Sequence, residues 1–143
     1  ADDQMLETLI LCPKNLTPMW EDYAHKFGLR SPKVLSQSVA QRDLPKLPRY
    51  RLVIIDESSM LDLPLMYSIV RVMPVRARLL LVGDPYQLPP IGFGLVFRIL
   101  AASQSIPRVE LVEVHRQTQS SGIPQAAHQI RRGIVPPLPQ FAG

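Results

Sequence analysis

Two short runs, Leu52-Val53-Ile54-Ile55 and Leu79-Leu80-Leu81-Val82, are apolar at every position, and this constrains the fold more than any other feature of the chain. A strand with one wet face alternates polar and apolar side chains; a strand covered on both faces has no polar side to show. Such runs are expected in a mainly parallel sheet held between helical layers, the α/β class. Four strands are predicted: Thr8 to Cys12, Leu52 to Asp56, Arg78 to Val82, and Val109 to Val114, with a shorter fifth at Lys33 to Leu35.

Amphipathic stretches lie between them. Leu16 to Phe27 follows Asn15, a residue type that caps helix N-termini, carries Pro18 in its first turn and stops at Gly28. Leu63 to Val72 sets Leu65, Met66, Ile69, Val70 and Met73 at helical spacing, which predicts a core-facing stripe. Gly94 to Ala102 and Ile123 to Arg132 complete the helices, the last closed by Gly133. Fifteen prolines in 143 residues exceed the usual share of about 5% and predict short elements joined by stiff loops. Val135 to Gly143 is proline-rich and reads as an extended tail, which leaves one domain over residues 1–134.

No apolar run approaches the roughly 18 residues of a membrane span, and the first residues lack a signal peptide's basic region. The single cysteine, Cys12, excludes an internal disulfide and suits a reducing cytoplasm; its apolar surroundings predict a buried, inert thiol. The net charge of +4 permits a nucleic-acid partner without requiring one. The basic residues are dispersed, so a solvated basic surface and a phosphate track are both open.

Chemistry concentrates at two strand ends. Leu52 to Ile55 runs into Asp56-Glu57, and side chains at the carboxyl end of a parallel strand reach the crevice where α/β ligands bind. One such acid can hold Mg²⁺ through water while its neighbour orients or deprotonates an attacking water. An acidic strand end leading into a turn is the plain alternative. The next strand runs into Gly83-Asp84-Pro85-Tyr86-Gln87, where Gly83 allows a tight exit and the Gln87 amide can both donate to and accept from a phosphate or water.

Those segments carry a resemblance. DESSMLD at Asp56 to Asp62, GDPYQLPPIGFGLVF at Gly83 to Phe97 and VHRQTQSSGIPQAAHQIRRG at Val114 to Gly133 resemble consecutive motifs of RecD/TraA-type superfamily 1 DNA helicases. The resemblance implies a RecA-like, P-loop NTPase-type three-layer fold that uses ATP and Mg²⁺. By it, Asp56 is the Mg²⁺ acid, Glu57 the catalytic base, Gln87 the γ-phosphate sensor and Arg116 the arginine that approaches the γ-phosphate. An ordinary surface arginine is the alternative for Arg116. Upstream, LILCPKNLTPMWEDYAHKFG at Leu9 to Gly28 and RYRLVIIDES at Arg49 to Ser58 look more like superfamily 2 helicases of the Swi/Snf type. That similarity makes Lys14 a candidate contact to a nucleic-acid phosphate, against a solvated charge. Trp20 could stack on a base or belong to the core. Two resemblances meeting near Asp56 to Ser58 suit a divergent helicase, a recombined chain or an engineered chimera.

The family pattern also requires a Gly-x-x-x-x-Gly-Lys-Ser/Thr loop, which cradles phosphates with backbone N–H groups and a lysine. None of the seven glycines here precedes a lysine, so the phosphate-loop strand and the second motor lobe are expected to be missing from this segment. The Val109 strand must then pair with the Arg78 strand or leave a gap. A compacted parallel sheet, an exposed edge, or strand exchange in a homodimer are the outcomes. The expected function is that of a helicase motor-lobe segment, acting on single- or double-stranded DNA and inactive in hydrolysis alone. A nucleic-acid-binding module without enzymatic activity and a recombined α/β scaffold without ligand are the rivals.

Overall fold

A computed structural model describes residues 7–29, 32–43, 50–111 and 123–135. The chain divides into two units, residues 1–106 and 107–143. In the first, β1 (Thr8–Cys12), α1 (Thr17–Lys26), β2 (Lys33–Ser36), α2 (Gln37–Asp43), β3 (Leu52–Ile55), α3 (Leu63–Val72), β4 (Arg78–Leu81) and α4 (Val96–Ala102) follow in order. The strands form one all-parallel sheet in the order β2-β1-β3-β4. The α/β parallel architecture expected from the two apolar runs is present.

Register decides which residues share a face. Leu9 pairs with Val53 and Val53 with Leu79, Leu11 with Ile55 and Ile55 with Leu81, so these six line one side. They pack with Ala40 of α2 and with Leu65, Met66, Ile69 and Val72 of α3. Thr8, Ile10, Cys12 and Ile54 line the other side and are all buried. Cys12 meets Thr17 there, at the start of α1. The chain moves from β1 to β2 in one direction and from β2 to β3 and β4 in the other. A constant crossover hand then places α1 on one face and α2 and α3 on the opposite one. The strand order therefore switches between β1 and β3.

Several expectations shift. β3 ends at Ile55 rather than Asp56, because the Asp56 carboxylate turns back to accept from the Glu57 N–H and Glu57 leaves the extended region. Asn15 does not cap α1. It lies in a 3-10 turn, Lys14–Leu16, that runs directly into the helix and satisfies the backbone in place of a side chain. Helix α2 had no periodicity long enough to be read from seven residues. The cap of α3 is Asp62, whose carboxylate accepts from the Leu65 N–H at 2.8 Å. Within the stripe predicted for α3, Leu65 and Ile69 are buried and Met66 and Met73 pack on the core, but Val70 faces out. Helix α4 begins at Val96, because Gly94 adopts φ +101.

β4 departs from the expectation of a strand covered on both faces. It pairs only with β3 among the described residues, and Leu80 stays 49% exposed. The second unit contributes α5 (Ile123–Arg131), followed by Gly133 at φ +73, as expected of a helix stop. The strand predicted at Val109 to Val114 is not formed over Val109–Leu111, which are irregular and exposed; the remainder of that run lies outside the described residues. Of the expected tail, only Val135 is described.

Candidate functional site at the carboxyl rim of the sheet

Asp56 and Glu57 follow β3, and the Gly83–Gln87 segment follows β4, its parallel neighbour. Parallel pairing at matched register thus delivers the acid pair and the glutamine loop to one rim of the sheet, beside the point where strand order switches.

Asp56 is held by four hydrogen bonds. Its backbone N–H donates to the Leu11 carbonyl at 2.8 Å, which fixes the residue to the end of β1. Its Oδ1 accepts from the Glu57 N–H at 2.9 Å, and its Oδ2 accepts from Trp20 Nε1 at 2.8 Å. The Gln37 amide donates to its carbonyl at 2.7 Å. Each carboxylate oxygen therefore keeps accepting capacity while its direction is set.

Glu57 is the single non-glycine residue at positive φ among those described (φ 52, ψ 44). The left-handed region costs an L-residue roughly 1–2 kcal/mol, so neighbours must impose it. They do: the Ser58 N–H donates to Val82 O at 2.8 Å, the Ser58 hydroxyl to Ile55 O at 2.7 Å, and Met60 N–H to Glu57 O at 3.1 Å. Gly83 presses on this turn. A Cβ there would stand 3.1 Å from the backbone nitrogens of Ser58 and Ser59 and 3.2 Å from the Phe97 ring. The sequence suggested that Gly83 frees the exit from β4; the structure shows that it permits close approach of two backbones.

Gln87 is exposed, and among the described residues only its backbone N–H is engaged, with Asp84 O at 3.2 Å. Farther along, the loop is pinned, with Phe93 O accepting from Leu63 N–H at 2.8 Å and Gly94 set against Leu63. Lys14 is exposed in the 3-10 turn after β1. Arg116 lies outside the described residues.

Trp20 is half-buried, and its ring meets Tyr23 edge-to-face at 6.4 Å. Sequence reasoning weighed it as core or as a stacking surface and missed its bond to Asp56. It also missed Gln37. No local signal could have supplied either, since these partners stand 36 and 19 residues from Asp56. Cys12 is buried as expected, and burial pushes its thiol pKa up, opposed by the Thr17 contact and reinforced by the charges of Asp56 and Glu21.

No group of three or more His, Cys, Asp or Glu among the described residues could cage a metal. A lone, oriented carboxylate is nonetheless suited to Mg²⁺, which keeps several waters and takes one or two protein carboxylates beside substrate phosphates.

Residues 20–140 match the family described as AAA domain. Over 87 residues the chain is 45% identical to the ATP-dependent RecD2 DNA helicase of Deinococcus radiodurans, an alignment covering 61% of this chain and 12% of that protein. The chain thus spans a small fraction of that relative. Among the described residues, no helix is long and apolar enough to cross a membrane.

Proposed function

From a chain that belongs to the AAA domain family, we propose a segment of the motor lobe of a DNA-helicase ATPase in which the carboxyl rim of the sheet handles Mg·ATP. The carrying observation is that Asp56-Glu57 and the Gly83–Gln87 loop leave adjacent parallel strands at the same end. The RecD-like similarity over 87 residues supports the helicase assignment. The continuous match over residues 20–140 supports one lobe rather than a join of two families near Asp56.

In this proposal Asp56 offers its oriented carboxylate to the hydrated cation. Glu57 accepts a proton from the attacking water. Gln87, exposed on the loop after β4, donates to or accepts from the terminal phosphate, and Arg116 adds a fixed positive charge. Mg²⁺, when bound, neutralises the charge that develops on the phosphate oxygens. Lys14 contacts a nucleic-acid phosphate from the turn after β1.

Phosphoryl transfer depends on positioning and charge neutralisation, and these 143 residues contain no Gly-x-x-x-x-Gly-Lys-Ser/Thr cradle. Turnover by this segment alone is therefore expected to be negligible, and phosphate release abolished by Glu57→Gln would contradict that. β4 has no second neighbour among the described residues, which keeps a second copy among the partners, and a monomeric elution mass at high micromolar concentration would remove it.

Calorimetric titration tests the whole. Mg·ADP is expected to bind weakly, and about tenfold more weakly to Asp56→Ala. A single-stranded oligonucleotide is expected to bind with an affinity that falls steeply with salt and drops in Lys14→Ala. Binding of DNA with no response to nucleotide would replace the motor by a binding module. No heat from either ligand would leave a scaffold.

A further inference from the structure

We propose that Trp20 is a positioning residue for Asp56, using its indole N–H to hold the carboxylate in the orientation that a hydrated divalent cation requires. The inference rests on the reading of Asp56 as the cation's acid and adds to it a partner on a different element. An ionised carboxylate has about four lone-pair sites. Two are taken, Oδ1 by the Glu57 N–H and Oδ2 by Trp20 Nε1. The first donor is adjacent in the chain and would follow any rotation of the Asp56 side chain only in part. The second comes from α1, across the strand-order switch, and fixes the rotation of the carboxylate plane. Donors that orient a metal-binding carboxylate change affinity without touching the ion.

The indole has a second contact besides Asp56. Its ring packs edge-to-face on Tyr23, and Tyr23 lies 6.1 Å from Phe27, so three aromatic side chains form a row along α1 and its C-terminal end. The same helix follows directly on the turn that holds Lys14. A displacement of α1 therefore reaches Asp56 through a single hydrogen bond.

Trp20 is the chain's one tryptophan, so its indole N–H gives one resonance and reports on this bond without ambiguity. In the wild-type chain that proton is expected to exchange with solvent about tenfold more slowly than in Asp56→Ala, since a half-buried, charge-assisted bond must open first. Asp56→Asn, which keeps side-chain volume, serves if the alanine variant is poorly folded, and should give an intermediate rate. Indole exchange that is the same in the wild type and both variants overturns the proposal.

The cation is tested separately with Mn²⁺ alone. Its paramagnetism should broaden the Trp20 indole signal in the wild type and leave it sharp in Asp56→Asn. Trp20→Phe keeps a ring for the Tyr23 contact and removes the donor. It is expected to weaken Mn²⁺ binding, read by electron paramagnetic resonance of the free ion, about tenfold. Unchanged Mn²⁺ affinity in Trp20→Phe overturns the positioning role. Slow exchange in the wild type with no Mn²⁺ broadening instead overturns the metal reading of Asp56, and the proposal with it, while the hydrogen bond stands. The two failures are therefore told apart.

Discussion

β3 and β4 are built from the same kind of sequence and live in different surroundings. Leu52–Ile55 has β1 on one side and β4 on the other, and its last three residues are buried. Arg78–Leu81 has one neighbour among the described residues and alternates between exposed and half-buried positions. The contrast extends to the residues they deliver. At the end of β3, Asp56 is bonded at both carboxylate oxygens and at its own N–H and carbonyl. Past the end of β4, Gln87 is exposed, with only its backbone engaged among the described residues. One strand presents a preorganised acid, and the other a side chain still free to meet what binds. Apolar composition admits a strand to the interior, but the number of neighbours decides how much of it is covered.

The largest test of this contrast is truncation. Ile55→Ala should cost about 2–5 kcal/mol, the range for emptying a fully enclosed site, whereas Leu80→Ala should cost about 1 kcal/mol or less because half its surface is already wet. Urea denaturation of the two variants gives both figures, and equal losses would break the distinction. Next is Gly83→Ala, expected to cost about 1–3 kcal/mol, because the new methyl meets the backbone nitrogens of Ser58 and Ser59, the first of them bonded to Val82 O. A neutral result in the same assay would show that the turn after β3 yields more readily than its hydrogen bonds suggest.

Glu57→Gly works in the opposite direction. Removing the side chain relieves the left-handed conformation and should raise stability by up to about 1 kcal/mol, less the entropy glycine loses on folding. A destabilised variant would mean that the glutamate side chain itself braces the turn. The smallest effect concerns Cys12. Its thiol pKa is raised in the folded state, so protonation favours folding. That contribution is fully present below the ordinary value near 9.0 and is lost as pH climbs through the raised folded value. The melting temperature of the wild type should accordingly fall faster above pH 9.0 than that of Cys12→Ala, with slow alkylation of the native thiol at neutral pH. Parallel melting curves would remove the cysteine from the account.

Much of the rim could be read from the chain. Asp56-Glu57 closing an apolar run and Gly83 closing the next are local patterns, and both fall where a strand end was expected. What escaped was set by sequence-distant groups. Asn15 looked like a cap, yet a 3-10 turn satisfied the same backbone donors. Val109 to Val114 has strand composition, but composition carries no partner, and Val109–Leu111 form no ladder. Trp20 has an apolar body that argues for the core and a polar N–H that only the fold could aim.

The sequence by itself determined the class of layers, because unbroken apolar runs separated by amphipathic stretches bury well only as a covered parallel sheet. It also determined that an acid pair ends one strand and that Gly28 and Gly133 stand where a helix stops and the backbone turns left-handed. Tertiary structure alone decided the order β2-β1-β3-β4, the exposure of β4, the strained conformation of Glu57, and the meeting of Trp20 and Gln37 on Asp56. The physical reason is range. Periodicity and capping act over a few residues and leave a record in the chain, whereas pairing order and side-chain convergence depend on groups that become neighbours only once the sheet has formed.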